Sequence, residues 1–484
     1  MRTKHIYTFI LVTAVVAIAS AGCTKWLDVK PKTQVLTSQL FSTESGFDDA
    51  MYGVYTTAAI PSLYGDQLTM SLLDVLAQRY NCSTDPTHVF YQASVYNYQD
   101  AGVIGRFTNI WDSMYYAIAN VNNVLANIDA QKGVFEGNDY QLVKGEALGL
   151  RAFMHFDLLR MFGPSYASNP SGASIPYVTA VSGNVTTLST VSQVLNYCIA
   201  DLLEADSLLA VYKNVDISFT SPTYTPLSND WLNRRQNHFN YWAAEATLAR
   251  IYLYMGDKAN ALLHATNVIN SGMFNFVTPN QISVFGDYTF VEEQIFSLSR
   301  YGIENQVAAY FQSSGNAGNS LNTSTMLTNS YGAGGVVNSI YEVSSGGVTD
   351  YRYAYLWQQS NNIFFPVKFW QLSSSSAYDN LIPLIRLPEM YYIAAESSDP
   401  ADGTNYLNQV RANRGLNPLP AGLSATQVQN EIFKEYEKEF YCEGQLFYYY
   451  KRLNLPQIQY SSISASNAVY VFPLPANELQ FGNR

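Results

Sequence analysis

YWAAEATLARIYLYMGDKANALLHATNVINSGMF, residues 241–274, is the stretch whose reading decides the fold. Its apolar residues recur every three or four positions on both sides of Met255-Gly256. It therefore predicts two helices, Asn240 to Leu253 and Asp257 to Asn270, joined by a tight turn. Small residues fall where the two helices should touch: Ala249 on the first, Ala261 and Ala265 on the second. Small side chains let antiparallel helices approach, and the larger Leu248 and Tyr252 lock their crossing. A single hairpin of this kind cannot bury its own apolar face and has to stack on others.

The neighbouring sequence supplies candidates. Helical period is clear at Phe47 to Ala59, Trp111 to Ile128, Lys144 to Phe162 (stopped by Gly163-Pro164) and Val191 to Leu209. Further on it marks Pro388 to Ala395, Asn405 to Asn413 and Gln427 to Tyr450. The offsets of Leu248-Ala249, Tyr252, Gly256, Ala261 and Ala265 resemble a tetratricopeptide unit. Ala394, Gly403 and Arg411 mark a second, degenerate unit, and a third begins at Glu146-Ala147. Their spacing is too irregular for a continuous solenoid, so long insertions must interrupt the framework. The expectation is a mainly α fold with tetratricopeptide-like helix pairs as scaffold and a long loop-rich ligand-binding subdomain. Residues 23–484 form one domain, with framework at about 40–275 and 384–455 and an insertion at about 281–383. That insertion is rich in Ser, Gly, Asn and aromatics and reads without strong helix, although Ile295-Phe296-Ser297-Leu298 alternates like a strand. A shorter polar-aromatic insertion runs from Asn81 to Arg106. Long loops on a rigid scaffold usually carry function, so the binding surface is expected there.

The N-terminus reads as an export signal. Arg2 and Lys4 precede an apolar run from Ile6 to Ala19, then Ser20-Ala21-Gly22 and Cys23. The run is too short to span a bilayer comfortably, and small residues directly before a Cys suit a lipoprotein signal, 1–22, with lipid on Cys23. Bacterial lipoprotein signals more often carry Leu where Ser20 stands. Several acyl chains, at roughly 0.8 kcal/mol per buried CH₂, make such an anchor durable. The formal charge of −11 argues against nucleic acid and anionic membrane surfaces as partners. Cys82, Cys198 and Cys442 are too few and too scattered for a disulfide framework or a Cys-based metal site.

Five segments, taken in order, resemble the SusD/RagB family of nutrient-uptake outer-membrane lipoproteins. Trp26-Leu27-Asp28-Val29-Lys30-Pro31 after Cys23 resembles the family's mature start. Lys144-Gly145-Glu146-Ala147 through Arg151-Ala152-Phe153 to Leu159-Arg160-Met161-Phe162-Gly163 resembles its most recognisable helix. Asp350-Tyr351-Arg352, Lys368-Phe369, Ile385-Arg386-Leu387-Pro388-Glu389-Met390-Tyr391 and Ala395-Glu396 resemble the approach to its later helices, continued by Asn408-Gln409-Val410-Arg411. Phe472-Pro473-Leu474-Pro475 and Glu478 resemble the closing segment. The resemblance implies an α-helical, lipid-anchored outer-membrane protein, facing the cell exterior, that captures an oligosaccharide or polysaccharide. It also implies a SusC-like TonB-dependent transporter as partner. Alternatives are a peptide-binding member of the same family and a helical-repeat scaffold for outer-membrane assembly. The C-terminal motif departs from the family pattern: Tyr436 and Leu446 stand where Arg is usual and Tyr449 where Asp is usual, while Arg452 remains. Charges lost together from both sides of a cluster leave few orphans, which reads as a repacked structural network.

Catalysis is not expected. Glu431, Glu435, Glu439 and Glu443 share one helical face, but carboxylates stacked on one helix seldom face each other across a sugar; they read as a charged face pairing with Lys434, Lys438 and Arg452. His88, His155, His238 and His264 lack metal-ligand spacing, His155 reads as a core group, and no phosphate-cradling loop or nucleophile elbow occurs. No metal and no cofactor is expected. A sugar site needs an aromatic plate with amides, carboxylates or Arg around it. Tyr91, Tyr96, Tyr98 and Asn97 offer that mix in the first insertion, with Asp74 and Arg79 just ahead of it. Trp357, Arg300, Tyr301 and Tyr310 offer it in the second, and Trp357 is the leading single candidate.

Overall fold

A computed structural model of the chain describes residues 37–215, 230–312, 335–360, 363–371 and 378–482. The expected signal and Cys23 lie outside these residues. Helix α1 (Glu44–Ala58) starts where the Thr43 hydroxyl accepts from the Gly46 amide. Helix α2 (Ala101–Ile128) is longer than its sequence pattern suggested. Asp100 caps it by accepting from the Gly102 and Val103 amides, at 2.9 and 3.2 Å, so the chain is helical well before Trp111. Gly102 and Gly105 disguise this start, although Val103 and Phe107 already face the core.

Helix α3 (Asp139–Phe162) is buried on all sides from Gly145 onward, which makes it the central rod rather than an amphipathic surface helix. Its small residues permit this: a Cβ on Gly149 would come within 2.1 Å of the Phe239 ring. Helix α4 (Val191–Leu209) opens with a capping box between Thr190 and Gln193. Helices α5 (Tyr241–Met255) and α6 (Lys258–Asn270) form the hairpin read from the sequence. Gly256 turns the corner at φ +79°, a conformation open to glycine at little cost. Helices α7 (Leu387–Ser397) and α8 (Pro400–Ala412) form the degenerate pair, followed by α9 (Ala425–Glu439) and α10 (Gln445–Arg452).

Each helix from α1 to α8 packs on the next, α6 meeting α7 across the insertion, and α9 closes the row against α7 and α8. The tetratricopeptide-like pairs are therefore α3/α4, α5/α6 and α7/α8, as expected, joined by α1/α2.

One expected helix is in fact two. Gln427 to Tyr450 breaks between α9 and α10, where Cys442 and Gly444 adopt φ +64° and +69°. A Cβ on Gly444 would lie 2.4 Å from the Leu68 carbonyl oxygen, so only glycine fits. The helical period runs on through this break, because periodicity does not register two left-handed residues.

The second insertion is more structured than its composition suggested. Strand β1 (Gln294–Ser299) pairs antiparallel with β4 (Leu381–Arg386), setting Phe296 opposite Ile385 and Leu298 opposite Ile382. Strands β2 (Trp357–Ser360) and β3 (Ile363–Pro366) form a hairpin. Short helices at Glu304–Phe311, Gly335–Ile340 and Tyr351–Tyr355 complete the described part. Cys82, Cys198 and Cys442 are buried and unbridged, so packing and ion pairs hold the chain together.

The acidic face of α9 is not a solvated one. Glu435, Glu439 and Glu443 are buried and meet cations from across the fold. Glu439 binds Arg352 at 2.7 Å, Arg386 at 2.5 Å and Arg414 at 2.9 Å, and Arg414 reaches on to Glu293 at 2.7 Å. Glu443 takes Arg386 and Lys368. Burial by itself would raise the Glu439 carboxyl, but the three guanidiniums hold it well below the usual range. Of the partners expected from the sequence, Lys434 pairs with Glu431 and Lys438 with Glu435, whereas Arg452 pairs with Glu396 at 2.7 Å. On the other side of α9 the substituted positions meet directly: the Tyr436 and Tyr449 rings lie 4.6 Å apart. Two aromatics stand where the resemblance implies Arg and Asp.

Candidate functional site

The two insertions converge on the turn that follows α1. Asp66 and Gln67 lie there, and both are buried. The Tyr310 hydroxyl and the Gln67 amide both donate to Asp66 Oδ2 at 3.1 Å, while Oδ1 is buried without a hydrogen-bond partner. Arg106 donates to Gln67 Oε1 at 3.0 Å and lies over the Phe90 ring at 4.2 Å. Arg300 donates to the Gly65 carbonyl at 2.7 Å. The Tyr310 ring stands edge-on to Phe90, 6.0 Å away. Tyr301, next to Arg300 in the chain, is 88 % exposed, the most exposed large apolar side chain among the described residues.

Burial pushes the Asp66 carboxyl above its ordinary value; hydrogen bonds from Ser71, Tyr310 and Gln67 and the charge of Arg106 oppose it only partly. Burial likewise lowers Arg300 from the usual guanidinium value. The arrangement offers an exposed aromatic plate and two half-buried guanidiniums braced by a buried carboxyl and amide, a set that can orient a hydroxyl-rich ligand.

Of the residues singled out from the sequence, Arg300 and Tyr310 come together at this rim, and the exposed Tyr301 follows Arg300 in the chain. Tyr91 is half-buried next to Phe90, and Asn97 is exposed but bonds Gln92 at 2.9 Å. The others serve the interior. Tyr96 donates to the Leu76 carbonyl at 2.9 Å, and Tyr98 to the Val469 carbonyl at 2.7 Å. Asp74 accepts from the Cys442 and Gly444 amides and so fixes the break between α9 and α10; burial pushes its carboxyl up to about 7. Arg79 binds Glu437 at 2.9 Å. These polar side chains turn inward because the irregular backbone around them leaves buried polar groups to satisfy. Trp357 is half-buried, edge-on to Tyr441 at 4.6 Å, so one of its edges belongs to the core. His88 is buried, with Nδ1 accepting from the Phe90 amide.

His155 is the core group its setting suggested. Its Nε2 accepts from the Val178 amide at 3.0 Å, Nδ1 faces the Arg151 carbonyl, and burial lowers it to about 3. Asp66, Gln67, Phe90 and Arg106 escaped the sequence reading. Asp66 and Gln67 follow Gly65 in a stretch without period, and Arg106 was read as loop; only the doubled polar pair after a glycine could have drawn notice. Among the described residues no His, Cys, Asp and Glu cluster could hold a metal ion, and no helix is long and apolar enough to cross a membrane.

A row of tetratricopeptide-like hairpins carrying a mixed α/β insertion, with a polar-aromatic rim where that insertion meets the first framework half, defines a helical binding scaffold. The chain belongs to the SusD family. Residues 25–225 match a SusD-like model described as starch-binding associating with outer membrane, and residues 303–480 match the SusD family model. Over 98% of its length the chain is 23% identical to SusD-like protein P2 of Formosa agariphila, covering 97% of that protein. Among solved structures, a SusD superfamily protein of Bacteroides thetaiotaomicron superposes with TM-score 0.70 at 22% identity, over 91% of this chain and 98% of that one. A putative sugar binding protein of Bacteroides vulgatus superposes with TM-score 0.64 at 20% identity, over 89% and 90% of the two chains. A SusD-like carbohydrate binding protein of the same species gives 0.66 at 17%, over 91% and 97%.

Proposed function

We propose that this protein captures oligosaccharides at the outer surface of the cell, anchored by lipid on Cys23, and passes them to a SusC-like TonB-dependent transporter. It acts by binding and not by catalysis. The observation that carries the reading is the rim itself: Tyr301 stands in solvent next to Arg300 in the chain, and the half-buried Arg300 and Arg106 bond Gly65 and Gln67 on either side of the buried Asp66. A sugar ring lays its apolar face on such a plate while its hydroxyls take the donors and acceptors around it. Family membership and relatives described as sugar- or carbohydrate-binding support the ligand class.

The test is affinity electrophoresis of protein beginning at Thr24 through gels containing single polysaccharides. At least one glycan should retard it, and Tyr301→Ala should weaken that retardation at an unchanged melting temperature. Trp357→Ala measures whether the β2–β3 hairpin contributes. Retardation by no glycan, or a Tyr301→Ala protein that runs like its parent on every retarding gel, rules the rim out. Co-purification of a transporter with the tagged lipoprotein from membranes tests the partner.

A further inference from the structure

On another part of the surface, two adjoining clefts run between the segment 172–188 and the C-terminal segment 467–482. One, of about 650 Å³, reaches from Gln99 and Asn169 to Leu474; the other, of about 420 Å³, continues past Pro176 to Phe481. Both lie in the volume range of small-ligand sites. We infer that this trough is a second binding site, for a neutral oligosaccharide chain. The inference shares its ligand class with the function proposed above but stands on different residues.

Three observations carry it. The walls are held in place before any ligand arrives. The Ser174 amide donates to the Ser189 carbonyl and the Ser189 amide to the Ile175 carbonyl, Tyr115 donates to the Pro176 carbonyl at 2.8 Å, and the Phe472 amide donates to the Met161 carbonyl at 3.0 Å. A preformed groove loses little entropy on binding. The second observation is exposed apolar surface at one end: Phe481, 65 % exposed, lines the same cleft as the exposed Val181 and Val185. An aromatic plate in a cleft with apolar side chains suits the face of a sugar ring.

The third is charge. Apart from tyrosines, Glu478 is the one ionisable residue among the described residues lining either cleft, and amides of Asn184, Asn477, Asn169 and Gln99 with the hydroxyls of Ser174, Ser182 and Thr186 supply the remaining polarity. That lining fits a neutral, hydroxyl-rich polymer and offers no counter-charge to an acidic or basic one. An extended peptide fits less well, because backbone groups of the 172–191 wall already bond to one another, as Val191 does to Gly172.

Titration calorimetry on protein beginning at Thr24, with soluble neutral glycans (amylopectin, galactomannan, xyloglucan and mixed-linkage β-glucan fragments), decides the matter. With the glycan that binds, Tyr301→Ala should leave one class of sites, and adding Phe481→Ala should weaken that class by about tenfold or more. Phe481 is exposed, so its removal should not shift the melting temperature; Val185→Asp in the same cleft gives an independent second variant. If Tyr301→Ala abolishes all binding, or Phe481→Ala and Val185→Asp leave every site unchanged, the trough is not a site. If Phe481→Ala removes binding that Tyr301→Ala does not touch, the trough stands and the rim falls. A parent protein that binds none of the glycans overturns both.

Discussion

The second insertion is joined to the helical framework along two seams built on opposite principles. At its base, Glu293, Arg386 and Arg414 meet Glu439 in a dry ionic cluster where each charge has at least one partner within 3.2 Å. At its rim, Tyr310 and Arg300 reach the framework through single hydrogen bonds to Asp66 and Gly65. The base locks a position; the rim leaves two guanidiniums half-buried and the neighbouring Tyr301 in solvent. Charge buried with partners gives stiffness, because removing one partner strands the others. Sparse, half-satisfied contacts give a surface that can still exchange partners.

The largest expected effect comes from breaking the base. Glu439→Ala leaves Arg352, Arg386 and Arg414 short of one buried counter-charge and should cost about 3–5 kcal/mol in chemical denaturation. A loss under about 1 kcal/mol would mean that the cluster relaxes far more freely than its geometry implies.

Next is the aromatic pair on the far side of α9. Tyr449→Asp buries a carboxylate against Tyr436 and should destabilise by about 2–4 kcal/mol, softened by Arg452 nearby. Adding Tyr436→Arg should recover part of the loss, and a double-mutant cycle should show coupling of about 1–3 kcal/mol. No coupling would mean the two positions are not interchangeable with an ion pair.

The seams should also respond to pH with opposite signs. At the base, burial raises the Glu435 carboxyl, but Arg352, Lys438 and Arg411 outweigh it and bring it from 4.5 to about 2. The folded state therefore binds fewer protons than the unfolded one between those values. Its contribution is complete above about pH 4.5 and disappears as the pH falls towards 2. Asp66 is raised by burial, so the folded state holds a proton that the unfolded chain releases; its contribution is present at low pH and lost as the pH rises through the raised value. Stability measured against pH should lose part of its acid limb in Glu435→Gln. Asp66→Asn should gain on the parent only towards higher pH. The same sign in both variants would contradict the contrast.

The smallest stability effect belongs to Tyr310→Phe, which removes one donor to Asp66 and should cost about 0.5–1.5 kcal/mol. Its consequence for glycan retardation should exceed that, because Asp66 would lose one of the bonds that hold it at the rim.

Local pattern carried much of this architecture. Ala261, Ala265 and Gly256 announced the α5/α6 hairpin, and Gly163-Pro164 announced the end of α3, because those features depend on residues adjacent in the chain. The start of α2 at Asp100 was invisible, since Gly102 and Gly105 lower helix propensity while tertiary packing of Val103 and Phe107 outweighs it. Of the rim, Arg300, Tyr301 and Tyr310 were legible as polar-aromatic residues in a long insertion. Asp66, Gln67 and Arg106 were not, because their partners lie far off in sequence.

The sequence by itself determined where helices pair, that the chain has no disulfide framework, and which family pattern it follows. Only the tertiary structure decided which way the carboxylates of α9 face, and which aromatics stay in water. Tyr96 and Tyr301 are the same residue type in similar polar-aromatic surroundings, yet one bonds a buried carbonyl and the other is 88 % exposed. The physical reason is that helix formation depends on neighbours a few positions away, whereas burial depends on what the rest of the chain brings to that spot.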